Sequence, residues 1–179
     1  MVAVVTGSCD HASVPSIRFV QLSTETMSAL VEGDRAAASA AAGIAVSEYL
    51  MAEAWLWRIR RDDIARDPAS AEWVARAVLD ADTGVVVGHG GFHGPPDADG
   101  VVEVAYSVDP AFRRRGYAKA ILAALLERAA ADPRVRSVRA SIRPDNAGSL
   151  ATVARFGFTK VGEQWDREDG LEWVFTRPA

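Results

Sequence analysis

The segment from Val101 to Ala131 constrains this chain more than any other. Val101 to Val108 is an apolar run that reads as a strand, and Asp109-Pro110 breaks it. Phe112-Arg113-Arg114-Arg115 leads into Gly116, and Gly116 to Ala131 reads as an amphipathic helix with Ile121, Leu122, Leu125, Leu126 and Ala129 on one face. Three consecutive arginines thus stand at a helix start, where the helix dipole favours anions. Each misplaced cation costs on the order of 0.3–1 kcal/mol at an exposed site. Gly116 and Ala118 leave the backbone bare where free N–H groups point outward. One ligand accounts for all of this: a phosphate-bearing molecule docked on the turn. Read alone, the arginine run is equally a solvated turn.

Around this segment the pattern alternates between the two regular periods. Ile17 to Leu22 reads as the first strand, and Ser23 or Thr24 opens a helical region broken near Gly33. Arg35 to Met51 reads as a second helix with Gly43 a weak point inside it, and Glu53 to Arg66 as further helix stopped by Asp67-Pro68. Strands are expected over Glu72 to Leu79 and Val85 to Gly94, joined by the turn Asp82-Thr83-Gly84. Ser137 to Arg143 is another strand, Ala147 to Arg155 a short helix ended by Gly157, and Phe158 to Gln164 with Leu171 to Thr176 a last hairpin.

Composition excludes several classes. The chain of 179 residues suits one domain, here 17–179, behind an expected flexible tail over 1–16. A net charge of -4 opposes a nucleic-acid binder built on Arg113 to Arg115. The single cysteine, Cys9, rules out an intrachain disulfide and a cysteine-based zinc site. No metal is expected: His89 and His93 lie too far apart along one strand to share an ion. No run approaches the ~18 apolar residues of a membrane span, and the N-terminus lacks the basic region of a secretory signal, so a cytoplasmic location is expected. His89-Gly90-Gly91 has the look of an esterase oxyanion loop, but no Gly-x-Ser-x-Gly elbow accompanies it.

Two motifs resemble one known family. Arg113-x-x-Gly116-x-Ala118, preceded by Val108-Asp109-Pro110, is similar to the acetyl-CoA signature of the GNAT (Gcn5-related N-acetyltransferase) superfamily. Asn146-Ala147-Gly148-Ser149 with Gly157-Phe158 resembles its second signature, and Glu103-Val104-Ala105-Tyr106 resembles a strand of the branch that acetylates N-termini of ribosomal proteins. The matching stretch is roughly residues 101–165. The resemblance implies an α/β (α+β) fold with a mostly antiparallel sheet of about seven strands and about four helices. It implies acetyl-CoA as cosubstrate, with Arg114, Arg115, Gly116, Tyr117, Ala118 and Lys119 around the pyrophosphate. It further implies that Tyr106, Ser107 and Val108 pair with the pantetheine arm through their backbone, and that Asn146 bonds the same region.

Acetyl transfer to an amine needs the amine neutral, and a free alkyl ammonium has a pKa near 10. Glu103 is the expected general base by the resemblance, since the position used in another branch is Ser141 here. Many members carry a tyrosine as general acid where this chain has Val153. Ser149 or water is left to serve the leaving sulfur, with Ser149 equally readable as a helix cap. The acceptor, a small molecule or a peptide N-terminus, is expected between the early helices and the last hairpin. Trp55 and Trp57 are candidates to line it, at most one of the two pointing in. A non-catalytic acyl-CoA sensor on the same fold is the rival reading, and a homodimer is the default assembly.

Overall fold

The computed structural model describes residues 14–168 and 170–179. Cys9 and most of the expected tail lie outside the described residues; within it, Ser16 already accepts a hydrogen bond from the Ala81 N–H at 3.0 Å. The chain runs β1 (Ile17–Gln21), α1 (Thr24–Glu32), α2 (Arg35–Ala42), α3 (Glu48–Ala52), α4 (Ala54–Arg66), β2 (Arg76–Asp80), β3 (Val86–Phe92), β4 (Val101–Val108), α5 (Tyr117–Ala131), β5 (Ser137–Ile142), α6 (Ala147–Val153), β6 (Thr159–Asp166) and β7 (Gly170–Pro178).

Local chemistry explains most boundaries. Ser23, Asp34 and Ser47 each cap a helix through a side-chain oxygen. Gly33 and Gly43 end α1 and α2 in the left-handed region. The single helix expected over Arg35 to Met51 is therefore two, α2 and α3, and the described residues hold six α-helices rather than about four. The strand expected from Glu72 starts only at Arg76, because Asp67 caps a 3-10 turn over Pro68–Glu72 by accepting from the Ala69 N–H at 3.1 Å. No helix among the described residues is long and apolar enough to cross a membrane.

The seven strands form one sheet in the order β1-β2-β3-β4-β5-β7-β6. Every neighbouring pair is antiparallel except β4 and β5. That parallel pairing is short. It covers Val101↔Ser137, Val102↔Val138 and Glu103↔Arg139, whereas β4 goes on to Val108 and β5 to Ile142. Beyond Glu103 the two central strands part, and the rest of β4 is paired on its β3 side alone.

Alternation sorts the residues beside this opening onto two faces. Ile121 of α5 lies against Gly90, where an added Cβ would meet its Cγ2 at 3.1 Å and the Tyr106 Cβ at 3.3 Å. Ile121, Leu122, Leu125, Leu126 and Ala129, the stripe read from sequence, are all buried. On the other face His89 stacks on Tyr49 of α3, with ring centroids 5.8 Å apart, and meets the edge of Trp57 of α4 at 5.4 Å. The glycines after His89 therefore serve close packing: a Cβ on Gly91 would sit 2.8 Å from the Trp73 carbonyl oxygen.

Candidate active site

The turn before α5 is built to leave backbone donors open. Asp109 accepts from the Ala111 N–H at 2.9 Å and closes a short 3-10 turn over Pro110–Phe112. Arg114 then adopts φ +66°, a left-handed conformation that costs a non-glycine residue roughly 1–2 kcal/mol. Gly116 follows at φ +89° as the N-cap of α5, and no side chain caps the helix. The N–H groups of Arg114 to Ala118 have no acceptor among the described residues. Open N–H groups and exposed arginines at one helix start suit a pyrophosphate.

The three arginines do not act alike. Arg113 folds back and donates through Nε to the Val108 carbonyl at 3.1 Å, while Arg115 lies over the Phe112 ring at 5.4 Å. That uses one lone pair of the Val108 oxygen, so a ligand strand would share this acceptor with Arg113. Tyr117 also differs from expectation. Its side chain is buried and its hydroxyl donates to Asp80 at 2.6 Å, which leaves only its backbone to the ligand. This bond, with two more from Thr83, holds the Asp80 carboxyl down at about 2.

The parting of β4 and β5 opens onto a cavity of about 650 Å³. Glu103 and Arg139 sit where the pairing ends, and their side chains face each other, Nε to Oε2 at 3.6 Å. Arg139 also donates to the Gln164 amide oxygen. Gln164 in turn donates to Ser141 Oγ at 3.2 Å and to Glu172 at 2.9 Å. Strands β4, β5, β6 and β7 thus contribute to one connected polar wall. The opposite wall comes from α4, with Glu53, Trp55, Leu56, Trp57 and Arg60.

Of the two tryptophans, Trp57 is 1% exposed and donates to the Leu50 carbonyl at 2.6 Å, whereas Trp55 is 53% exposed. Trp57 is a core residue with one edge at the cavity; Trp55 is the accessible one. Both line it.

Ser149 and Asn146 also line the cavity. Asn146, not Ser149, caps α6: its Oδ1 accepts from the Ser149 N–H at 3.0 Å. Asn146 keeps its amide NH2 for a ligand, and the Ser149 hydroxyl makes no hydrogen bond among the described residues. Val153 is buried and carries no proton. Ser107, whose backbone was expected to meet the ligand, accepts a 2.6 Å hydrogen bond at Oγ from the Tyr49 hydroxyl, which ties β4 to α3.

The sequence singles out neither Arg139 nor Gln164, and it leaves His89 between a substrate-site and a sheet residue, with the sheet preferred. His89 was assigned to the sheet, where it is, but it also lines the cavity. Burial first, then the nearby Arg60 charge, push its pKa down to about 4, so the imidazole is neutral at pH 7. Its Nε2 is buried without a partner among the described residues. Tyr106, expected only as a backbone partner, also has a buried hydroxyl; burial pushes it up to about 12, opposed by the neighbouring Thr152 hydroxyl. A signal for Arg139 was present: Arg139 and Ser141 are polar residues alternating with buried Val138, Ala140 and Ile142 on a central strand.

Comparison with known proteins places this architecture. The acetyltransferase (GNAT) domain matches residues 22–159. An uncharacterized N-acetyltransferase, YjdG of Bacillus subtilis, is 31% identical over 81 residues, and the match spans about half of either chain, 45% of this one and 48% of that one. Among solved structures, a putative ribosomal-protein-serine acetyltransferase from Vibrio cholerae superposes with a TM-score of 0.64 at 16% identity, covering 91% of this chain and 94% of that one. Mycobacterium smegmatis RimJ, in complex with CoA-disulfide, gives 0.64 at 18% identity over 93% and 83%. At such identities the structures speak to fold, and the seven-stranded sheet parted between β4 and β5 is the fold they share a class with. With its match spanning most of the chain, this protein belongs to the GNAT acetyltransferase domain family.

Proposed function

We propose that the chain transfers the acetyl group of acetyl-CoA to a primary amine, by direct attack of the amine with Glu103 as general base. The observation that carries this reading is the end of the β4–β5 pairing at Glu103 and Arg139. It leaves an unpaired strand edge for an extended pantetheine arm and puts a carboxylate at the point where the strands part. The open N–H groups of Arg114 to Ala118 would hold the pyrophosphate, and the Asn146 amide would bond the arm. Acetyl-CoA supplies the activated thioester.

The protein's part is proton handling and placement. Glu103 takes a proton from the incoming ammonium, so that the nitrogen lone pair is free to attack. As the new C–N bond forms and the C–S bond breaks, the Ser149 hydroxyl hydrogen-bonds the departing sulfur, and the second proton shed by the acylated nitrogen passes through water to the thiolate. Neutral His89 adds no positive charge to a cavity that must admit a cation. Glu53, Glu172 and the exposed face of Trp55 give that cation favourable surroundings.

The test is CoA-thiol release from acetyl-CoA across a panel of peptide N-termini and small primary amines. Amine-dependent release that falls on the order of 10²-fold or more in Glu103→Gln, with acetyl-CoA affinity retained, is the expected result. Tight acetyl-CoA binding with no turnover on any amine would instead make the chain an acyl-CoA sensor.

A further inference from the structure

A second concave surface lies behind the parted strands and shares with the first cavity the single lining residue Arg76. It is a groove of about 550 Å³ between the C-terminal half of α5 and the segment that enters β2, lined by Phe19, Trp73, Arg76, Leu125, Arg128 and Pro133 among others. Arg128 lies about 16 Å along the helix from Tyr117, at 1.5 Å per residue, so the groove is well separated from the pyrophosphate turn.

The Glu72 and Asp132 carboxylates also line it, yet Arg76 and Arg128 are poorly matched. Arg76 and Arg128 both donate to the same neutral acceptor, the Glu72 carbonyl oxygen, Arg128 through Nη2 at 2.6 Å. Arg76 makes one more bond, to the Trp73 carbonyl at 3.2 Å. Neither forms an ion pair among the described residues, whereas the neighbouring Arg134 is held by Asp132 at 2.7 Å. The guanidinium groups of Arg128 and Arg134 both lie against the Trp73 ring, at 5.2 and 5.7 Å from its centroid. Burial first and the Arg128 charge second push the Arg76 pKa down to about 10, with Glu72 opposing. Two like charges are thus drawn onto one uncharged oxygen, and Arg128 keeps most of its five N–H donors unused among the described residues.

We propose that this groove is an oxyanion site, taking a phosphate or carboxylate carried on an apolar group. The oxyanion would accept from Arg128 and Arg76 and relieve their repulsion, as guanidinium–oxyanion pairs do with two parallel bonds. The apolar group would lie on Phe19, Leu125 and Pro133. The site does not depend on acetyl transfer.

Calorimetric titration of the CoA-saturated protein with phenyl phosphate, benzoate and inorganic phosphate tests it. Saturating CoA keeps the probes off the pyrophosphate turn. One saturable site is expected, tighter for phenyl phosphate than for inorganic phosphate; comparison of phenyl phosphate with benzoate tells which oxyanion the site favours. Arg128→Gln is expected to weaken binding about tenfold or more, the loss of a charged hydrogen-bonded partner. Asp132→Asn, which frees Arg134, is expected to tighten it. Because Arg128 also holds the Glu72 carbonyl, Asp132→Asn keeps the test decisive if Arg128→Gln fails to fold: a loss of structure cannot produce a gain in affinity. Absence of saturable binding, or binding indifferent to Asp132→Asn and to a foldable Arg128→Gln, would overturn the proposal. Should the protein not bind CoA at all, the same two variants still distinguish the groove from the turn, since neither residue belongs to it.

Discussion

The turn before α5 and the cavity beyond the parted strands differ in what they are made of. The turn offers main-chain N–H groups, so its requirement is conformational: Arg114 and Gly116 at positive φ and a helix start with no capping side chain. The cavity offers residues from α4, α6 and strands β2 to β7, brought together only by the finished sheet. A backbone site leaves a compact mark in the sequence, because few residues tolerate its conformation. A side-chain site assembled from eight elements leaves none that is contiguous. The first can be shared by proteins that differ in the second, which is how one fold serves many acceptors.

Substitutions on each side are the way to break this contrast. The largest expected effect is on the cavity side. Glu103→Gln is expected to lower kcat/KM on the best amine by about 10²–10⁴-fold across the pH range, with the acetyl-CoA dissociation constant within a few-fold of wild type. Steady-state kinetics and calorimetry on one preparation check both halves. A loss confined to acetyl-CoA binding would put Glu103 on the turn's side of the comparison.

Trp57 and Trp55 sharpen it next. Trp57 is 1% exposed and bonded to Leu50, so Trp57→Ala is expected to cost about 3–5 kcal/mol of stability in urea unfolding. Trp55→Ala, at a residue 53% exposed, is expected to leave stability nearly unchanged and raise the amine KM a few-fold, in keeping with about 0.5–1 kcal/mol for an exposed cation–π contact. Equal effects of the two would mean that Trp55 is packing rather than substrate surface.

On the turn's side, Gly116→Val adds a β-branched side chain at φ +89°, and its Cβ would approach the Pro15 Cδ at 3.0 Å. Relaxation of the free turn out of that conformation, at roughly 1–2 kcal/mol to restore it on binding, corresponds to acetyl-CoA binding weaker by about ten-fold. The expected signature is a raised KM for acetyl-CoA with kcat retained at saturation. A fall in kcat with KM unchanged would show that the turn does more than hold the cosubstrate.

The same contrast explains which features were legible in the sequence. Arg113, Gly116 and Ala118 marked the turn, and Asn146 with Gly157 marked the start and end of the α6 region, because each sits where backbone geometry demands it. The succession of strands and helices along the chain was also legible near the motifs, where apolar runs and turns alternate cleanly. Gln164 carries no local mark, and the polar alternation at Arg139 and the His89-Gly90-Gly91 run do not say what either residue faces: their roles arise from cross-strand pairs such as Glu103↔Arg139 and Gln164↔Glu172 and from the packing of His89 on Tyr49 and Trp57, which are properties of the whole fold. The split between α2 and α3 was missed for a different reason. Gly43 inside an alanine-rich run reads as a tolerable weak point, whereas the structure uses it as a left-handed stop, with Ser47 capping α3.

The smallest predicted effect concerns how the turn is anchored rather than what it binds. Tyr117 opens α5 and its hydroxyl holds Asp80 on the β2–β3 turn. Asp80 is lowered in the folded state to about 2 from 3.8, so its contribution is complete above about pH 4 and is lost as pH falls toward 2. Tyr117 is raised by the same bond, so its contribution is present below pH 10 and fades as the phenol ionises at higher pH. Tyr117→Phe removes the bond and flattens both limbs. Thermal unfolding followed from pH 2 to 11 is expected to show a slightly lower Tm at pH 7 for the variant, with the gap to wild type closing at each extreme. A gap that stays constant with pH would mean that Tyr117 stabilises α5 through its ring, packed edge-on to Phe112 at 6.2 Å, and not through the proton it shares with Asp80.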